Sequence, residues 1–271
     1  MPELPEVETT CRGITPLLLH ATIRGVTVRE ARLRWPVPPD LAANLTGRRV
    51  LGISRRAKYL LVDFEHGTLI LHLGMSGSLR FVAPGAPPEK HDHVDIDLGQ
   101  TVLRYRDPRR FGAILWQQGP IEAHPLLTQL GPEPLSYAFD GAVLQQAIQR
   151  RGSAIKLAIM DNHVVVGVGN IYANEALFHA GIHPARAANG LSGEECARLA
   201  AEIKTVLARA IDAGGSTLRD FVDAKGKPGY FQQSYMVYGR RDLPCHVCGS
   251  LIRELRQGQR SSCFCPHCQP C

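Results

Sequence analysis

No run of apolar residues in this chain comes near the roughly 20 that a membrane-spanning helix requires, which excludes such a helix. The first residues lack the basic start and apolar run of a secretory leader and carry acids instead, so a cytoplasmic location is expected. There is no internal repeat and no low-complexity segment, which excludes repeat architectures and long disordered tracts. Acids are in the minority: 25 stand against 31 lysines and arginines, for a net charge of +6. That excess excludes an acidic, polycation-binding protein and is compatible with a polyanion partner.

The basic residues come in clusters: Arg48 and Arg49; Arg55, Arg56 and Lys58; Arg104, Arg106, Arg109 and Arg110; Arg150, Arg151 and Lys156; Arg240 and Arg241. Charge alone does not separate a nucleic-acid binder from a merely basic protein. The 271 residues, 44% of them apolar, suit one large or two modest globular domains.

Leu4, Val7, Cys11, Ile14 and Leu18 recur at helical spacing and predict a helix over 2–18, with Pro2 and Pro5 tolerable in its first turn. From 21 to about 117 the pattern is β. Segments 21–29, 59–64, 68–73, 93–98 and 101–106 are rich in Val, Ile and Leu, and 83–88 reads as a loop. Many short strands without intervening helices predict a sandwich or a barrel. Prolines 120, 125, 132 and 134 then mark a connection, and helical patterns follow at 140–150, 153–160, 170–180 and 192–212. A domain boundary near residue 135 is expected.

Six of the eight cysteines crowd into the last 27 residues. In a reducing compartment such crowding points to metal rather than disulfides. Cys245-His-Val-Cys248 and Cys265-Pro-His-Cys268 are two knuckles that can give four thiolates to one tetrahedral structural zinc. Segments 251–256 and 261–264 can pair as a hairpin around the turn Gln257-Gly258-Gln259. Cys268 and Cys271 form a further C-x2-C, and Cys263 is close by, so the ligand register stays open by spacing alone. The stretch Gly167-Val168-Gly169-Asn170 lies between two helical patterns and can present backbone N–H groups to a phosphate. A dinucleotide fingerprint is excluded, because Tyr172 stands where its third glycine belongs.

Several motifs are more specific. The start Pro2-Glu3-Leu4-Pro5-Glu6-Val7-Glu8-Thr9 is joined by Arg56-Ala57-Lys58-Tyr59-Leu60, His72-Leu73-Gly74-Met75-Ser76-Gly77 and Lys90-His91-Asp92-His93-Val94. Asp107-Pro108-Arg109-Arg110-Phe111-Gly112, Gly167 to Tyr172, Gly229-Tyr230-Phe231 and the C-terminal knuckles complete the set. In this order, over residues 2–268, the chain resembles the formamidopyrimidine-DNA glycosylase family. The resemblance implies an α+β protein of three parts. These are a catalytic β-sandwich with an N-terminal helix over 1–134, a helix–two-turn–helix domain over 135–235 and a zinc finger over 236–271, with DNA in the cleft.

It also implies a bifunctional glycosylase and AP lyase of base excision repair that removes 8-oxoguanine and formamidopyrimidines. Once Met1 is removed, the secondary amine of Pro2 would attack C1′ and form a Schiff base. Glu3 would donate the proton for base release and ring opening. Lys58 and Arg260 match the positions that serve β- and δ-elimination. Met75, Arg109 and Phe111 match the side chains that fill the hole left by an extruded base. His91, Arg109, Arg151 and Asn170 match DNA contacts, and Cys245, Cys248, Cys265 and Cys268 match the ligands of one zinc. Damaged double-stranded DNA, with cytosine opposite the lesion, is the implied partner of a monomer. The stretch from Ser216 to Tyr235 would hold the loop that closes over the base. Two other readings stand beside this one: an endonuclease VIII-type enzyme for oxidised pyrimidines, and a non-catalytic zinc-dependent DNA binder. The intact Pro2-Glu3 start and the Met75, Arg109 and Phe111 set speak against them.

Overall fold

The computed structural model describes residues 2–215 and 234–271. Among these, 2–128 with 213–215 form one compact unit, and 129–212 with 234–271 form a second.

The first unit opens with α1 (Leu4–Leu18), whose predicted stripe Leu4, Val7, Cys11, Ile14 and Leu18 is buried. β1 (Gly25–Val28), a short α2 (Leu41–Leu45), β2 (Gly52–Arg56), β3 (Tyr59–Phe64) and β4 (Gly67–His72) follow. The unit continues with β5 (Ser78–Val82), β6 (Asp92–Asp97), β7 (Val102–Arg106) and β8 (Ala113–Gln118). The strands form two four-stranded antiparallel sheets, ordered β1-β6-β7-β5 and β2-β3-β4-β8, and among the described residues no ladder joins them. Between sandwich and barrel, the chain therefore builds a sandwich. Its core is one cluster that takes Val7, Ile14 and Leu18 from α1, Leu60, Val62, Leu69, Leu71 and Ile114 from one sheet, and Leu79, Val94, Ile96 and Leu103 from the other. Each such side chain contributes about 1.5–3 kcal/mol relative to exposure.

The second unit contains α3 (Gly141–Ile148), α4 (Ile155–Ile159), α5 (Asn170–His179) and α6 (Gly193–Asp212), then the hairpin β9 (Arg253–Gln257) and β10 (Arg260–Phe264). Asp140 caps α3, its Oδ1 accepting from Val143 N at 2.8 Å. α6 buries one stripe, whereas Ile171 to Phe178 of α5 are all buried, so α5 is the central helix. Two of its buried residues are polar, and both hold the C-terminal segment. Asn174 Oδ1 accepts from Cys263 N at 2.7 Å, and the Glu175 carboxylate accepts from the backbone N–H of Met236, Val237 and Tyr238. The hairpin turn is Gly258-Gln259, with φ of 51° and 61°. It is thus a two-residue loop of the kind that needs left-handed residues, one residue shorter than the expected turn.

Two clustered cations are internal and leave the basic surface the sequence suggested. Arg104 is 3% exposed and binds both Asp95 oxygens at 2.8 Å. Lys156 is 0% exposed. No helix among the described residues is long and apolar enough to cross a membrane. Residues 216–233 of the expected base-capping segment lie outside the described residues.

Candidate active site

Chain ends usually fray into solvent, yet Pro2 is buried and Glu3 is 2% exposed. The cause is local. Glu3 caps α1, its backbone N–H donating to Glu6 Oε2 at 2.8 Å, and Glu6 is itself fully buried. One turn on, Glu8 meets Arg55, whose Nε donates to Glu8 Oε2 at 2.9 Å and whose Nη1 donates to the Ala57 carbonyl at 2.8 Å. Burial pushes the Glu8 carboxyl up, but the Arg55 and Arg12 guanidinium groups outweigh it and hold the group below the usual range. Arg55 thus ties the helix that begins after Pro2-Glu3 to the turn that carries Lys58.

That turn is Ala57-Lys58, between β2 and β3. Ala57 has φ of 53° and is buried, although a left-handed residue there is usually glycine. His72 lies within electrostatic reach of Lys58. Burial, and then the Lys58 and Arg34 cations, push its pKa down to about 4. His72 is therefore neutral at working pH, and its Nδ1 accepts from Gly74 N at 3.1 Å. A folded-state pKa below the unfolded value of about 6.5 means that the unfolded chain binds the proton first. Stability from this group is full above pH 6.5 and is lost as pH falls toward 4. Wild type should lose on the order of 2 kcal/mol over that window relative to His72→Gln, which keeps an acceptor and does not titrate. Parallel urea unfolding of the two proteins at both ends of the window measures this; identical pH slopes would clear His72.

Met75, Arg109 and Phe111 all reach solvent. Met75 is 36% and Phe111 45% exposed, so neither is a core residue. The Arg109 guanidinium carbon lies 4.9 Å from the centre of the Phe111 ring. His91 is half-buried and left-handed, with φ of 76°.

In the second unit, Asn170 begins α5 one residue after its cap, Gly169. Its Oδ1 accepts from Lys156 Nζ at 2.7 Å, and the same ammonium donates to the Ser261 carbonyl at 2.6 Å and Ser262 Oγ at 2.8 Å. Lys156 therefore anchors the hairpin instead of meeting a phosphate. Arg151 is half-exposed and donates to Asp161 Oδ2 at 2.6 Å. Arg260 is exposed and opens β10 directly after the turn.

The sulfurs that converge are those of Cys245, Cys248, Cys265 and Cys268, all within 4.8 Å of one another. Separations of 3.9 Å for Cys245–Cys268 and 3.4 Å for Cys248–Cys265 bracket the distance of about 3.8 Å that tetrahedral zinc imposes at a Zn–S bond of about 2.3 Å. Val247 N and Cys268 N each point at a knuckle sulfur at 3.4 Å, as thiolates favour. Cys263 lies outside the group, with its sulfur against Glu254, and Cys271 is exposed.

Backbone strain follows the same residues. Six non-glycine residues with positive φ occur among the described residues: His20, Ala57, His91, Arg110, Asp242 and Gln259. Four of these are, or adjoin, the candidates Lys58, His91, Arg109 and Arg260. Such conformations cost of order 1–3 kcal/mol and cluster at functional sites.

Sequence reasoning missed the supports: Arg55, His72, Asp107, Lys156 and Glu175. Arg55, His72 and Asp107 stood in clusters or motifs without a sign of these roles, and Lys156 left a trace as one cation in the apolar run Ile155-Lys156-Leu157-Ala158-Ile159.

The comparisons agree with this anatomy. The family model for the formamidopyrimidine-DNA glycosylase N-terminal domain matches residues 1–114, and that for its H2TH domain matches 130–222. A zinc finger found in FPG and IleRS matches 242–270. A sandwich, an H2TH domain and a four-cysteine finger in this order define a class of DNA repair glycosylases. Within it, the chain is 60% identical over 270 residues to the formamidopyrimidine-DNA glycosylase of Methylococcus capsulatus, covering 99% of this chain and 100% of that one. The enzyme of Laribacter hongkongensis is 59% identical, with the same coverage. Lactococcus lactis Fpg, solved with abasic-site DNA, superimposes with a TM-score of 0.92 at 34% identity, over 99% of this chain and 100% of that one. MutM (Fpg) of Thermus thermophilus gives 0.88 at 41%, over 99% and 98%. The chain belongs to the formamidopyrimidine-DNA glycosylase family. It is a DNA glycosylase and AP lyase for oxidised purines, it binds damaged DNA, and it holds one zinc in its four-cysteine site.

Proposed function

We propose that excision runs through the nitrogen of Pro2. The neutral secondary amine attacks C1′ of the damaged nucleoside, the C1′–N bond breaks, and the base leaves with a proton from Glu3. The Pro2 nitrogen then gives its proton back to Glu3, Glu3 protonates O4′ as the C1′–O4′ bond breaks, and the opened sugar is held as an iminium that acidifies C2′, so the 3′ and then the 5′ phosphate leave by elimination. Lys58 serves the first elimination and Arg260 the second. The observation that carries this reading is the burial of Pro2 and Glu3 at a chain start, where solvent exposure is the norm.

Met75, Arg109 and Phe111 fill the hole left by the extruded base. Their support is exposure without a partner in the sandwich core, and the stacking of Arg109 on Phe111. A hole left unfilled costs a few kcal/mol in lost stacking. Arg109 also hydrogen-bonds the orphaned partner base, which favours cytosine opposite the lesion. His91 and Arg151 contact the DNA, and Asn170 and Lys58 grip phosphates. The protein works as a monomer, in the cytoplasm where its DNA lies.

The test is nicking of duplexes that carry 8-oxoguanine or an oxidised thymine opposite each of the four bases. The enzyme should prefer 8-oxoguanine opposite cytosine. Arg109→Ala should weaken that opposite-base discrimination by about 1–3 kcal/mol, the worth of one base contact. A preference for the oxidised pyrimidine would contradict the reading. An unchanged opposite-base profile in Arg109→Ala would remove Arg109 from the role.

A further inference from the structure

The three proposed hole-filling side chains come from two separate loops. Met75 sits between β4 and β5, and Arg109 and Phe111 sit between β7 and β8. Side chains on two loops make one wedge only if the loops are locked together. The lock here is a buried polar pair behind the exposed tips. Asp107 is 0% and Ser76 4% exposed. Ser76 Oγ donates to Asp107 Oδ1 at 2.7 Å, which crosses from the first loop to the second. The same Oγ accepts from Arg109 N at 3.1 Å, which crosses back. Asp107 Oδ2 accepts from Gly112 N at 2.8 Å, closing the turn around Phe111. Asp107 Oδ2 also faces the Tyr105 hydroxyl at 3.4 Å, and the Asp107 carbonyl faces His93 Nε2 at 2.8 Å, so the hub is fixed to its own sheet.

Steric fit shows the same closeness. Gly74 has φ of 62°, and a Cβ there would strike the backbone of Phe111 and Gly112. A Cβ on Gly112 would strike the Tyr105 hydroxyl and the His72 carbonyl. The two loops therefore pack backbone to backbone, with the hydrogen bonds of Ser76 and Asp107 setting the register between them.

We propose that Ser76 and Asp107 are positioning residues that hold Met75, Arg109 and Phe111 as one preformed wedge for entry into duplex DNA. The proposal rests on the reading of those three as hole-filling side chains. Neither Ser76 nor Asp107 need touch the substrate. Their effect is to fix where Arg109 and Met75 arrive, and a misplacement of about 1 Å can cost up to a hundredfold in rate.

The experiment uses the zinc-loaded, full-length protein and two probes. One is a duplex with 8-oxoguanine opposite cytosine or adenine. The other is a single-stranded oligonucleotide with an abasic site, which has no base to extrude and no stack to fill. Ser76→Ala removes the donor to Asp107 and the acceptor for Arg109 N. It should lower single-turnover excision on the duplex about tenfold or more relative to nicking of the single strand. It should also flatten the preference for cytosine over adenine. Because Ser76 acts through Arg109, the double variant with Arg109→Ala should lose less than the product of the two single losses. Asp107→Asn, which turns an amide donor or a weaker acceptor toward Gly112 N, should reproduce the pattern. Equal loss on both probes, no loss on either, or fully multiplicative losses in the double variant would each overturn the proposal. Arg109→Ala and Phe111→Ala are measured alongside. If they too treat duplex and single strand alike, the wedge reading itself has failed. If they discriminate and Ser76→Ala does not, only the positioning role falls.

Discussion

Replacing Cys265 with serine is expected to cost the protein its zinc ion, the order of its C-terminal hairpin and most of its strand-nicking activity. The argument begins with how little else holds the hairpin. Its apolar cluster consists of Phe178 from α5 with Val237, Ile252 and the buried cysteines 245, 263 and 265. Two of those six are themselves zinc ligands. Structural zinc binding in such modules is worth about 10–16 kcal/mol near neutral pH, far more than the remaining apolar contacts supply. Without it, Lys156 and Asn174 lose the ordered Ser261, Ser262 and Cys263 that they hold. Arg260, at the head of β10, loses its place. The second elimination, which Arg260 is proposed to serve, fails with it. The sandwich has a core of its own and should stay folded. Metal analysis should give one zinc per chain in wild type and in Cys271→Ser, and none in Cys265→Ser. Zinc retained in Cys265→Ser and lost from Cys271→Ser would move the site to the other C-x2-C pair.

The stripe of α1, the span of β3 and the start of α5 were legible in the sequence: α1 by its helical period, β3 as a short apolar run, and α5 by the Gly167-Val168-Gly169 stretch that precedes it. β2, β5, β8 and α2 were not. Gly52–Arg56 mixes charge with partly buried positions and has no fully buried residue, and Ser78–Val82 interrupts its pattern with Arg80. Their place is set by neighbouring strands rather than by their own composition. The knuckle spacing left the zinc register open between Cys265/Cys268 and Cys268/Cys271. Folding closes it, because only the first choice brings four sulfurs together.

The chemistry was legible as residue types in motifs, and its supports were not. Lys58, Met75 and Arg109 stand in contiguous runs that can be recognised one by one. Asp107 was visible only as the first letter of such a run, because its work is done on Ser76, 31 positions away in the chain. Lys156 misled in the opposite direction: a cation in a basic cluster reads as a phosphate ligand until it is found buried. Charge clustering in sequence says nothing of which guanidinium or ammonium groups find internal acceptors, as Arg104 also does at Asp95.

Any residue left ahead of Pro2 is expected to abolish base release and nicking while leaving DNA binding in place. A free α-amino group has a reference pKa near 8, so a useful neutral fraction exists at physiological pH without a large shift. An acyl group on the same nitrogen makes it an amide, whose lone pair is delocalised into the carbonyl and does not attack C1′. The surroundings leave little room for a substitute geometry: Pro2 and Glu3 are buried, and α1 begins at the next residue. Glu3→Gln should show the complementary loss, with the amine intact and the proton donor gone. The most direct measurement is borohydride trapping. Borohydride reduces the Schiff base to a stable amine, and so records which nitrogen formed it. Mixed with damaged duplex and borohydride, the chain that starts at Pro2 should give a covalent protein–DNA adduct, with the DNA mapped to the N-terminal proline. The chain that retains Met1 should give none. An adduct formed equally fast by the Met1-retaining chain, or mapped to Lys58, would contradict the account.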